Sequence, residues 1–93
     1  MSAYFIANLK IHNTEQYEEY KKRLGPVFDK YEGKYLALDD NPEVLEGEWN
    51  YSRLVLIEFP DKAALKRWYN SGDYQEVLKL RFAASDADVI VVE

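Results

Sequence analysis

The chain has 93 residues, with 12 Lys and Arg against 17 Asp and Glu, for a formal net charge of -5 and a pI near 4.9. That acidity disfavours phosphate backbones and anionic membrane surfaces as partners, and the lack of cysteine excludes disulfides, iron–sulfur clusters and thiolate zinc sites. A single histidine, His12, leaves little basis for a histidine metal site or a proton relay, so no metal or cofactor is expected.

Hydrophobic content of 47% and an aromatic share of 15% fit one globular domain spanning residues 1–93. The start, Met1-Ser2-Ala3-Tyr4, has neither a basic nor an apolar leader segment, and no apolar run approaches a membrane span. A cytoplasmic protein is the expectation.

Ala3 to Ile11 alternates, with Phe5, Ala7, Leu9 and Ile11 on one parity and Tyr4, Ile6, Asn8 and Lys10 on the other, which predicts a strand. Asn13 then reads as a helix N-cap, with Gln16 in the capping-box position and Glu15 near the positive end of the helix dipole. Tyr17, Tyr20, Leu24, Val27, Phe28 and Tyr31 fall on one helical face. Gly25-Pro26 predicts a kink, since Pro26 cannot donate to the Lys22 carbonyl, and Gly33 is the expected helix end.

Lys34 to Asp39 reads as a second strand, with Leu36 and Leu38 opposite Tyr35 and Ala37. Asp40-Asn41-Pro42 breaks it, and a connection longer than a hairpin needs, carrying Trp49, leads to the next strand. That third strand, Arg53 to Phe59, is apolar on both parities: Val55, Ile57 and Phe59 on one, Leu54 and Leu56 on the other. A strand apolar on both faces needs cover on both and so belongs in the middle of a sheet. Pro60 ends it and Asp61 caps a short helix carrying Ala64, Leu65, Trp68 and Tyr69. Ser71 caps a further helical piece with Tyr74, Val77, Leu78 and Arg81 on one face, and Ala87 to Val92 closes the chain as a strand.

The order β-α-β-β-α-β predicts an α+β, ferredoxin-like fold: a four-stranded antiparallel sheet with both helical segments on one face and the first and third strands central. The helices then cover Phe5, Ala7, Leu9, Val55, Ile57 and Phe59. The other face shows Tyr4, Ile6, Leu54 and Leu56, with Leu36 and Leu38 expected beside them. So broad an apolar face predicts a homodimer joined through it.

Four segments together resemble the DUF1330 family: the strand followed by the Asn13-capped helix, Pro-Glu-Val-Leu-Glu-Gly-Glu-Trp at 42–49, Arg-Leu-Val-Leu-Ile-Glu-Phe-Pro at 53–60, and Trp68-Tyr69-Asn70-Ser71 with Tyr74-Gln75. Those are small bacterial proteins of unassigned function in the dimeric α/β-barrel superfamily, and the likeness covers nearly the whole chain. It implies a face-to-face dimer. It implies no single reaction, because the superfamily mixes cofactor-free monooxygenases, isomerases and haem proteins with members of no known activity. The chain departs from the family pattern at Leu38-Asp39-Asp40, where Arg-Gly-Gly is common, at Asn8, where an acidic residue is frequent, and at Gly72, where a proline is frequent.

Among candidate catalytic residues Glu58 comes first, a carboxylate on the face of Leu54 and Leu56 near Tyr4. In a cleft, desolvation would suit it to acid or base work; in a dimer interface it would instead pair with an arginine or tyrosine, which is the preferred reading. Asn8, on the same face of the first strand, either orients a ligand carbonyl or bonds Glu58, the latter preferred. For ligand binding the candidates are Trp49, as a cleft lid or a loop anchor, Arg53, Tyr4 and Leu38. Arg53 either clamps a ligand carboxylate or pairs with Glu46 or Glu48 at the rim. His12, at the strand end, reads as solvated or capping, and it leaves a haem without an axial ligand. Arg81, with the phenol of Tyr69 or Tyr74 as its expected partner, reads as structural. RNA binding on this topology needs stacking aromatics on the open face and a basic surface, and the third strand offers Leu54, Leu56 and Glu58 in an acidic protein.

Two functions are therefore expected. One is a dimer holding a small aromatic or acyl-type molecule in a pocket between sheet and helices, with cofactor-free oxygenation or isomerisation as the chemistry open to it. The other is a non-catalytic binding or assembly module whose barrel is a filled dimer core.

Overall fold

A computed structural model describes residues 1–93. The elements in chain order are β1 (Ala3–Ile11), α1 (Thr14–Phe28), β2 (Lys34–Asp39), β3 (Arg53–Phe59), α2 (Lys62–Tyr69), α3 (Gly72–Ala84) and β4 (Ser85–Val92). The strands form one antiparallel sheet in the order β2-β3-β1-β4, which puts the doubly apolar β3 and the alternating β1 at its centre. With the helices packed on one side, this is the ferredoxin-like arrangement expected.

The helix starts follow the predicted caps. Asn13 Oδ1 accepts the Gln16 N–H at 3.1 Å, Asp61 Oδ1 the Ala64 N–H at 2.7 Å, and Ser71 Oγ the Tyr74 N–H at 3.1 Å. Each satisfies an N–H that the first helical turn leaves without an intrahelical partner. The end of α1 differs from expectation. The helix runs through Pro26 and stops at Phe28, short of Tyr31 and Gly33, with the Asp29 N–H closing its last turn on the Gly25 carbonyl at 3.0 Å. Gly33 serves a different purpose: a Cβ there would stand 2.6 Å from the Phe28 ring and 2.9 Å from the Phe59 ring, so the turn closes against these aromatics only without a side chain.

Ala3, Phe5, Ala7 and Leu9 of β1 and Ile57 and Phe59 of β3 are buried beneath the helices. Trp68 of α2 is the hub of this core, 1% exposed, with ring centroids 5.2 Å from Phe5, 5.4 Å from Phe59, 5.9 Å from Phe28 and 4.2 Å from Tyr74. Its neighbours Phe5 and Phe28 meet it edge-on, a favoured geometry for aromatic pairs.

One register change corrects the predicted faces. Tyr35 pairs with Ile57, but Ala37 pairs with Leu56 and Leu38 with Val55, so Leu36 is the extra residue of a bulge. A one-residue insertion swaps the faces beyond it. Tyr35 and Leu38 therefore both turn towards α1, and Ala37 rather than Leu38 stands on the open face beside Leu56. Strand β4 also begins two residues earlier than expected, at Ser85, directly out of α3. Ala84 C=O accepts the N–H groups of His12 and Asn13 at 2.9 and 3.1 Å, tying that junction to the end of β1.

Candidate functional site

The side chains that matter most meet under α1, on the covered side of the sheet. Tyr17, Tyr20 and Leu24 recur at three- and four-residue spacing, so one face of α1 presents all three to the strands. Below them β1 supplies Phe5, Ala7 and Leu9, β2 supplies Tyr35 and Leu38, and β3 supplies Arg53, Val55 and Ile57. Trp68 of α2 and Arg81 of α3 complete a cavity of about 180 Å³. A more open depression of about 270 Å³ shares Tyr17, Lys21 and Arg53 with it.

The cavity is apolar with polar tips. Tyr20 and Tyr74 share a hydrogen bond of 2.9 Å between their hydroxyls. Burial raises the phenolic pKa of Tyr17, a shift that the adjacent Arg53 opposes, and raises those of Tyr20 and Tyr74 as well, while Tyr35 is pushed up to about 12. These phenols stay neutral at physiological pH and act as hydrogen-bonding groups. Burial works against the charge on Arg53, but its hydrogen bond to Asp40 at 2.6 Å and the nearby Tyr17 outweigh that and hold it protonated. Its guanidinium also lies over the Tyr17 ring, 5.7 Å from the centroid. The lining includes no aspartate, glutamate or histidine. What the arrangement can do is bind, orient and stabilise negative charge, with proton abstraction left to groups outside the wall.

Of the candidate catalytic and ligand-binding residues read from the sequence, Arg53 and Leu38 line this cavity and Glu58, Asn8, Trp49 and Tyr4 lie elsewhere. Glu58 and Tyr4 face each other on the open side of the sheet, where the Tyr4 hydroxyl donates to Glu58 Oε2 at 3.4 Å. Asn8 is on that side too, but the register sets it opposite Leu54 and Asp88, so the expected Asn8–Glu58 bond gives way to the Tyr4–Glu58 contact. Trp49 packs on Tyr51 at 5.3 Å and walls a separate depression of the long connection with Pro42 and Leu45, away from the cavity. Arg53 pairs with Asp40 rather than Glu46 or Glu48, because its position on the covered face turns it towards the end of β2. His12 is exposed.

The sequence reads Tyr17 and Tyr20 as helix-face packing and Arg81 as structural, and it gives Tyr35 no role beyond its strand position. Arg81 is 3% exposed, and the Tyr74 phenol expected to hold it bonds Tyr20 instead. The signal was present: an arginine on the otherwise apolar stripe Tyr74, Val77, Leu78 is a buried charge that calls for an explanation.

By sequence, no curated protein matches the chain. Solved structures do match its fold. A protein of unknown function from Rhodopseudomonas palustris superposes with a TM-score of 0.79 at 22% identity, over 98% of this chain and 80% of that one. SnoaB, a cofactor-independent oxygenase from Streptomyces nogalater, superposes with a TM-score of 0.74 at 14% identity, over 99% and 91%. A dimeric ferredoxin-like protein of unknown function from Thermobifida fusca gives 0.71 at 16% identity, over 99% and 90%. Identities this low show a shared fold. The model of the domain of unknown function DUF1330 matches residues 2–93, so the strand, the helix caps and the motifs of β3 and α2 described above are those of a chain that belongs to the DUF1330 family.

Proposed function

We propose that this protein is a homodimer, joined through the open face of its sheet, in which each subunit holds a small organic molecule in the cavity between sheet and α1. The observation that carries this is the cavity itself: about 180 Å³ of largely apolar space, with neutral phenols and two arginines in its wall. A cleft of this size, open where Tyr35 and Leu38 are exposed, has room for a single ring with a short substituent. That SnoaB is a cofactor-independent oxygenase on the same fold supports cofactor-free chemistry as the activity to look for, on a substrate acidic enough to need no strong base in the wall.

The dimer rests on the other face. Tyr4, Ile6, Leu54 and Leu56 are half-buried there, and Ile90 and Val92 are exposed at 57% and 40% beside them. Covering such side chains contributes roughly 1 kcal/mol apiece when part of each is already shielded. In this reading Glu58, bonded to Tyr4, is a residue of the dimer interface.

The test fills the cavity. Gly25 lines it, and a Cβ placed there meets nothing within 4 Å. In Gly25→Leu the helical gain from replacing glycine is offset by crowding of the new side chain against Pro26, so circular dichroism should first show that the variant folds. The folded variant should lose the small molecule that native mass spectrometry detects on the wild-type dimer, or the shifts that single-ring probes cause in NMR spectra. Wild-type protein that binds no small molecule by either method, or binding that survives Gly25→Leu, would overturn the reading and favour the packed assembly module.

A further inference from the structure

Arg81 is the most deeply buried charged side chain in the wall of this cavity. It is 3% exposed, and of the six ion pairs in the structure none involves it, whereas Arg53 has Asp40. Its Nε has no hydrogen-bond partner in the protein. The titratable groups coupled to it include the phenols of Tyr17, Tyr20 and Tyr74, and the other charge in the cavity wall near it is the cation Arg53. All three phenols are held neutral by burial, so none offsets its charge. Lys21 at the rim has Glu18 at 3.0 Å. The wall of the cavity thus holds one cation without a counter-ion, beside a second whose single partner reaches it from the outer side.

A buried guanidinium of this kind is strongly disfavoured unless an anion meets it. Resting on the cleft reading above, we infer that the ligand is a small organic oxyanion, an aromatic or short acyl carboxylate. Its charged end lies against Arg81, with Arg53 beside it, and its apolar body lies along Leu9, Leu24 and Val55. The planar fork of an arginine suits a carboxylate, and a low-polarity wall strengthens the pairing. The phenols add neutral donors around the charge without repelling it.

The experiment compares benzoate with benzamide, which has nearly the same shape and no charge, by NMR titration of the full chain at neutral pH and constant ionic strength. Wild type should bind benzoate at least about tenfold more tightly than benzamide, the size expected for a charge-assisted hydrogen bond. In Arg81→Gln that preference should vanish while benzamide still binds, and in Arg81→Lys part of it should return. Lys79→Gln, on the exposed side of α3, should leave it intact. Equal binding of the two probes by wild type overturns the anion inference alone, as does a preference that persists in Arg81→Gln. Binding of neither probe overturns it together with the cleft reading. Should Arg81→Gln not fold by circular dichroism, the wild-type ratio and the Arg81→Lys titration still decide.

Discussion

The two faces of one sheet are built on opposite terms, and β3 shows both at once. Towards α1 it presents Arg53, Val55, Ile57 and Phe59; towards the open side it presents Leu54, Leu56 and Glu58. The covered face is rich in aromatic rings and buries Arg81 without a counter-ion beside a cavity. The open face is half-buried and aliphatic, and its carboxylate Glu58 already has a donor in Tyr4. Glu58 is partly solvated and accepts a hydrogen bond, whereas Arg81 is buried with no counter-ion, the costlier of the two situations. Under the proposed function, binding is to be sought on the covered face and the subunit interface on the open face.

The largest effect should come from the hub of the covered face. Trp68→Ala removes the ring that touches Phe5, Phe28, Phe59 and Tyr74 and should cost about 3–5 kcal/mol, most of the stability of a domain this size. Urea denaturation measures it. A loss below about 2 kcal/mol would mean that the aromatic cluster does not organise that face.

Leu56→Asp strikes the open face instead. With a carboxylate placed among Ile6, Leu54 and Ala37, the variant should sediment as a monomer or aggregate at micromolar concentration, while wild type sediments as a dimer. A monomeric wild type would remove the open face from consideration as an interface.

Glu58→Gln is a finer probe of the same face. The neutral isostere weakens the bond from the Tyr4 hydroxyl and should lower stability by at least about 1 kcal/mol at neutral pH. Thermal melts across pH 5 to 8 check this, and probe binding in the cavity should not change. An unchanged or raised melting temperature would break the assignment of Glu58 as a paired interface carboxylate.

The smallest effect at neutral pH is confined to alkali and reads the covered face. Burial raises the phenolic pKa values of Tyr17, Tyr20, Tyr35 and Tyr74, that of Tyr35 to about 12. Unfolded chains therefore release these protons first, near pH 10. The folded state binds more protons between the two values, so the stability these groups contribute is full below about pH 10 and is lost as pH rises towards 12. Phenolate absorbance and urea midpoints measured together should show it, and Tyr35→Phe should flatten the fall. A midpoint constant from pH 9 to 11 would show that these phenols are not shielded.

The order of strands and helices, the caps at Asn13, Asp61 and Ser71 and the central place of β3 were legible in the sequence, while the end of α1 and the start of β4 were not. Each depends on local chemistry: side-chain period, a short polar residue ahead of a helix, a proline that ends a strand. The candidate site was legible only in part. Arg53 stood out, but its partner depended on which residue of another strand the register brings near, and the bulge at Leu36 decided that Leu38 turns to the cavity. Antiparallel pairing put Glu58 opposite Tyr4 rather than Asn8. Tyr17 and Tyr20 looked like packing because a one-dimensional pattern records that a side chain faces inward and not whether anything fills the space it faces. Residues as distant in sequence as Tyr20, Arg53 and Arg81 share a wall only once α1 and α3 have packed on the sheet, and so the cavity and its unpaired charge belong to the tertiary structure alone.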